Sequence, residues 1–113
     1  MDEWGNYPHE RRRLLDLLMG ANGVLLLSGN VHFAEISGFE TLVEFTSSGL
    51  THTNMEYAAA PNRYRVTGPY TEINFGLVEI DWSRRRITLR AVGANGSRAF
   101  EHQVSLDSLQ PEE

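Results

Sequence analysis

The sequence predicts an α/β fold of the α+β type: one N-terminal helix, a buried strand, then a mostly antiparallel β-meander. Three observations predict it. A one-sided apolar helix pattern occupies residues 8 to 19; the aliphatic run Val24-Leu25-Leu26-Leu27 follows it after Asn22-Gly23; and the last third alternates apolar and polar residues between turn signals.

Pro8 suits the first helical position, where its missing N–H is one that a helix start leaves unpaired anyway. Glu10 places an anion near the positive end of the helix dipole, and Gly20 offers a stop. Leu14, Leu15 and Leu18 make one apolar stripe while Glu10, Arg12, Arg13 and Asp16 can stay wet, so this helix is expected to dock on a sheet.

Val24 to Leu27 shows no polar alternation, the pattern of a central strand covered on both faces. A helix leading directly into such a strand reads as the second half of a strand-helix-strand crossover, whose first strand is expected upstream of Met1. In a chain folding alone, the strand near 23 to 28 then presents an uncovered apolar edge, which favours a homo-oligomer formed by edge pairing or strand exchange.

Leu42, Glu44 and Thr46 alternate with Val43 and Phe45, as in a strand over 42 to 47. Residues 47 to 72, with Gly49, Pro61, Gly68 and Pro69 among scattered polar residues, read as a long irregular segment. Val78, Ile80 and Trp82, then Ile87, Leu89 and Ala91, alternate with polar neighbours on either side of the turn at Ser83 to Arg85, which is a hairpin. Asn95-Gly96 predicts a two-residue turn into a third strand carrying Phe100, His102 and Val104. One domain is expected over 1–106, followed by a disordered acidic tail at 107–113.

The chain has 113 residues, enough for one modest core and not for two. A net charge of −5 repels phosphate backbones, which argues against a nucleic-acid partner. Without cysteine there are no thiol nucleophiles or zinc-thiolate sites, and the longest aliphatic run is far short of the ~20 residues that a membrane helix needs. No nucleophile elbow or phosphate-binding glycine loop is present.

Chemistry concentrates after the aliphatic run. Ser28-Gly29-Asn30-Val31-His32-Phe33-Ala34-Glu35 leaves the C-terminal end of the strand, the edge at which open α/β sheets usually bind ligands. Gly29 permits a sharp turn, and Asn30, His32 and Glu35 offer a carbonyl oxygen, an imidazole and a carboxylate suited to a metal ion. A lone histidine is more often structural, and from types and spacing alone that reading stays open beside the ligand one.

These residues, with Trp4-Gly5-Asn6-Tyr7-Pro8 before them, resemble the end of the PhoD-like alkaline phosphatase family. Three further blocks are similar in the same order: Glu44 to His52, Asn62-Arg63-Tyr64-Arg65, and Asn74 to Asp81. The resemblance implies the C-terminal part of a calcineurin-like metallophosphatase sandwich, whose longer parent hydrolyses phosphate mono- or diesters with bound divalent or trivalent metal ions such as Fe, Ca, Zn or Mn. It places Asn30 and His32 at the metal site. Where the family's loop reads Ser-Gly-Asp-x-His, this chain has Asn30, which keeps an oxygen donor and loses a charge.

His52 is a further catalytic candidate, for orienting substrate or supporting the metal shell, and the reading of an exposed loop histidine stays open beside it; Arg63 and Arg65 are candidates for clamping a substrate phosphate, and the reading of solvated surface arginines stays open beside that. The ligands upstream of Met1 are expected to complete the site, so the chain alone is expected to hold no metal and to lack substantial phosphatase activity. A non-catalytic β-rich binding module, a pseudophosphatase segment, is the alternative, motivated by Asn30. Arg84 to Arg86 read as a solvated turn, His102 as a packing residue and His9 as exposed.

Overall fold

The computed structural model describes residues 6–21, 23–39, 41–53 and 64–110. Helix α1 spans Pro8–Met19, with Pro8 at its first turn, and seven strands follow: β1 (Leu25–Ser28), β2 (Ala34–Phe39), β3 (Leu42–Ser47), β4 (Arg65–Tyr70), β5 (Asn74–Asp81), β6 (Arg86–Gly93) and β7 (Arg98–Ser105). They form a four-stranded sheet in the order β1-β3-β2-β4 and a three-stranded meander, β5-β6-β7. Among the described residues only β1 and β3 pair in parallel; every other pairing there is antiparallel. The fold is thus α+β, with an N-terminal helix and a closing meander as the residue pattern predicts. No helix among the described residues is long and apolar enough to cross a membrane.

The two sheets share one core. Ile36 and Phe45 from the first sheet meet Ile87, Leu89 and Val104 from the second, and the Phe45 and Phe100 rings lie edge to face at 6.3 Å. Burying each such side chain contributes about 1.5–3 kcal/mol. The sheets come close at Gly76, where a Cβ atom would lie 3.0 Å from the Ser47 Cβ and 3.1 Å from Phe45 Cε2.

The strand at Leu25–Ser28 differs from its expected environment. β1 lies at the edge of its sheet, none of its residues is fully buried, and Leu27 is 66% exposed. Leu25 packs against the core, whereas Leu27, two residues on, does not join it. Helix α1 likewise buries no residue completely: Leu14, Leu15 and Leu18 are half-buried, and Leu17 stays exposed. Its ion pairs, Arg12 with Asp16 at 3.1 Å and Arg13 with Glu10 at 3.2 Å, are exposed and contribute about 0.3–0.5 kcal/mol each.

Two strands escape the pattern. β2 carries Glu35 at a buried position, and β4 carries Gly68-Pro69 inside a strand. Both have compensations: Glu35 is ion-paired, and Pro69 sits on an edge strand, where a missing N–H is tolerated. Gly68, at φ 97°, takes a conformation that favours glycine, and a Cβ there would approach the Ala34 carbonyl oxygen to 2.8 Å.

Asn95-Gly96 does turn the chain between β6 and β7, but within a longer connection. The Gly96 N–H donates to the Gly93 carbonyl and Gly96 takes φ 81°, and the register shifts beyond Ala91, which is a turn followed by a bulge. Of the expected tail over 107–113, residues 107–109 belong to the 3-10 helix Leu106–Leu109, with Leu109 buried in the core; residues 111–113 lie outside the described residues. The Arg84 to Arg86 turn is exposed, with Arg85 bonded to Asp107 at 2.7 Å.

Candidate functional site

Because β1 and β3 run parallel as neighbours, the segments leaving their C-terminal ends emerge on the same side of the sheet. Residues 29–33 follow β1 and residues 48–53 follow β3. This topology brings together two side chains far apart in sequence: the His32 and His52 rings lie edge to face with centroids 4.2 Å apart. His32 is half-buried and His52 exposed.

The first segment is held in an unusual backbone shape. Asn30 and His32 have positive φ angles, 74° and 62°, so the left-handed positions fall on them and not on Gly29. Asn tolerates this conformation, whereas for His32 it costs about 1–2 kcal/mol. The neighbouring segment supplies the compensation. The His32 N–H donates to the Ser48 hydroxyl at 2.9 Å, and the Ser48 N–H donates to the Phe33 carbonyl at 3.2 Å. Non-glycine residues held this way cluster at functional sites.

His52 has a further neighbour. Its Nδ1 lies 2.9 Å from the Thr51 hydroxyl oxygen. If Nδ1 carries the proton and donates to that hydroxyl, the Nε2 lone pair is left to accept a proton or bind a cation.

The other expected site residues divide. Arg65 is held by Glu35: its Nε lies 2.6 Å from Oε2 of a carboxylate that is only 8% exposed, and the Ser37 hydroxyl donates to the other carboxylate oxygen at 3.2 Å. Glu35 therefore braces β2 against β4 and does not join Asn30 and His32 as a donor. Arg63 lies outside the described residues. Asn30 is exposed, two positions before His32 in the same segment.

Two imidazoles suit a borderline transition metal, but a catalytic metal takes three or more protein ligands. Among the described residues, no group of three or more His, Cys, Asp or Glu side chains is placed to hold one. His32 and His52 supply two donors, Asn30 stands two positions before His32 in the chain, and among the described residues the set is incomplete. Two clefts, each of about 410 Å³, lie elsewhere, one beside Trp82 and Arg86 and the other between Tyr70 and Asn95. Neither is lined by a histidine, so the site rests on the convergence of the two strand-end segments and not on concavity.

The residues that hold these segments, Ser48, Ser47 and Asn74, carry no chemical signature of their own. They stand out in sequence only as polar residues beside Gly49 and Gly76 in the blocks that carry the resemblance. The chain matches no protein-family model, and no curated protein matches it in sequence.

Proposed function

We propose that this chain forms one wall of a metal-dependent phosphoesterase site, with His32 and His52 as its working groups and Asn30 as an oxygen donor beside them. The observation that carries the reading is the meeting of the two imidazoles at 4.2 Å, from segments that leave adjacent parallel strands. Divalent or trivalent cations, when bound, neutralise phosphoryl oxygens and lower the pKa of a water molecule. The chain's own part is narrower. His32, fixed by its backbone bond to Ser48, presents an imidazole at a set angle, and His52 offers a second nitrogen for a cation or for a proton on the leaving group.

The pair lies at an open surface, with His52 exposed, as suits a wall that a further part of a longer protein completes. On this reading the isolated chain has little phosphatase activity. The edge of β1, which no other strand among the described residues pairs, with Leu27 exposed, supports association of two copies through that strand when nothing else covers it.

The test compares metal content and p-nitrophenyl phosphate hydrolysis of the 113-residue chain with those of a chain extended upstream through the rest of the phosphatase. Metal and turnover confined to the extended protein, and lost in its His32→Ala variant, support the proposal. Turnover by the short chain alone contradicts its split character, and inactivity of both removes the enzyme reading.

A second reading, a non-catalytic β-rich binding module, is favoured by Arg65, whose guanidinium is engaged with buried Glu35. It predicts an extended protein that folds and binds neither metal nor phosphate ester.

A further inference from the structure

Asn74, the first residue of β5, is 1% exposed and, with Glu35, is one of two buried polar residues among the described ones. A buried amide is costly unless its hydrogen bonds are made, so where they go shows what it holds. Its Oδ1 accepts from the Ser47 hydroxyl at 2.8 Å, its backbone N–H donates to the Gly49 carbonyl at 3.0 Å, and its Nδ2 donates to the Glu72 carbonyl at 2.8 Å. Two of the three bonds thus grip residues 47 and 49, the segment that leads to His52. Gly49 is shaped to this grip, since a Cβ there would lie 2.5 Å from Asn74 Nδ2.

Between the two gripped residues stands Ser48, whose hydroxyl and N–H hold His32 and Phe33 from the other side. Residues 47–49 are therefore a shared anchor, fixed by Asn74 from the second sheet and carrying one histidine on each flank. We infer that Asn74 is a positioning residue that sets the contact between His32 and His52 without touching either ring.

This inference rests on the proposed function in treating the histidine pair as the working element, but its test does not need turnover. The nuclear Overhauser effect between the imidazole protons of His32 and His52 reads the contact directly, and Zn²⁺ titration reads its consequence. Three variants of the full chain are compared: Asn74→Ala, the milder Ser47→Ala, and Val104→Ala, a core truncation on β7 that matches or exceeds their loss of stability.

The expected result is loss of the inter-imidazole signal in Asn74→Ala, its weakening in Ser47→Ala and its retention in Val104→Ala. In the chain extended upstream, Zn²⁺ affinity falls about tenfold or more with Asn74→Ala, as when a partner that orients a ligand is removed. If Asn74→Ala does not fold, Ser47→Ala against Val104→Ala decides. An unchanged signal in Ser47→Ala and Asn74→Ala, or an equal loss in Val104→Ala, overturns the inference. An extended protein that shows the contact yet binds no Zn²⁺ counts against the phosphoesterase reading alone, and the signal comparison still decides the role of Asn74.

Discussion

Glu35 Oε2 and Arg65 Nε lie 2.6 Å apart across the β2–β4 pairing, with the carboxylate nearly buried and the guanidinium about three-quarters covered. Removing one partner of such a pair strands a charge. Arg65→Ala is expected to cost about 3 kcal/mol, the lower end for a buried pair because Arg65 keeps some water contact. Equilibrium urea unfolding measures this, and Glu35→Leu combined with Arg65→Leu should recover much of the loss. A cost below about 1 kcal/mol for Arg65→Ala would mean that the pair is as weak as a surface one.

Gly68 offers a sharper test of the same strand pairing. With φ at 97° and the Ala34 carbonyl 2.8 Å from where a Cβ would sit, Gly68→Ala meets both backbone strain and a backbone clash. The expected destabilisation is about 2 kcal/mol or more, whereas Gly96→Ala, with open space around the new methyl group, bears only the cost of its positive φ, about 1–2 kcal/mol. The ranking of the two melting temperatures checks the proposed register of β4.

These two residues also show why part of the fold was hidden. Helix α1 was legible because Pro8, Glu10 and the leucine stripe all agree, and the meander because Val78, Ile80, Ile87 and Leu89 alternate strictly. β2 hides behind Glu35, whose burial is offset by an arginine 30 positions away. β4 hides behind Gly68 and Pro69, which read as loop residues until the edge position is known. The run at Val24 to Leu27 signals strand correctly, but what covers its faces depends on how far the other sheet extends, which local pattern does not encode. The site was half legible in the same sense. His32 follows from its place after a strand, while its meeting with His52 requires the parallel pairing of β1 with β3, and the hold of Asn74 crosses between sheets.

The exposed face of the meander makes a pH-dependent contribution. Glu101 is held below its ordinary range, chiefly by its hydrogen bond from Arg98, with Arg90 at 3.7 Å adding to the effect. A carboxylate whose folded pKa is depressed binds fewer protons folded than unfolded around that range, so its stabilisation is present above the unfolded value and fades as pH falls through the folded one. The stability difference between wild type and Glu101→Gln is thus expected at neutral pH and should vanish under strongly acidic conditions. A difference that is flat from neutral to strongly acidic pH would remove the ion pairs as its cause. Raised salt should shrink it only in part, because Arg98 is exposed while Glu101 is mostly covered.

The edge of β1 carries the last prediction. Leu27 lies opposite Phe45 in the parallel register, on the face whose neighbours Leu25 and Phe45 enter the core, yet it is itself 66% exposed. A lysine at this position loses little burial, so Leu27→Lys should change unfolding free energy by no more than about 0.5 kcal/mol. Its effect on self-association should be much larger, because edge pairing would bring the new charges of two copies together in a desolvated contact. Sedimentation velocity over a concentration series separates the two effects. Association of the wild type that Leu27→Lys abolishes supports pairing through β1. Association that persists in the variant moves the contact elsewhere, for which the exposed Phe75 and Leu77 on the edge strand β5 are the next residues to replace.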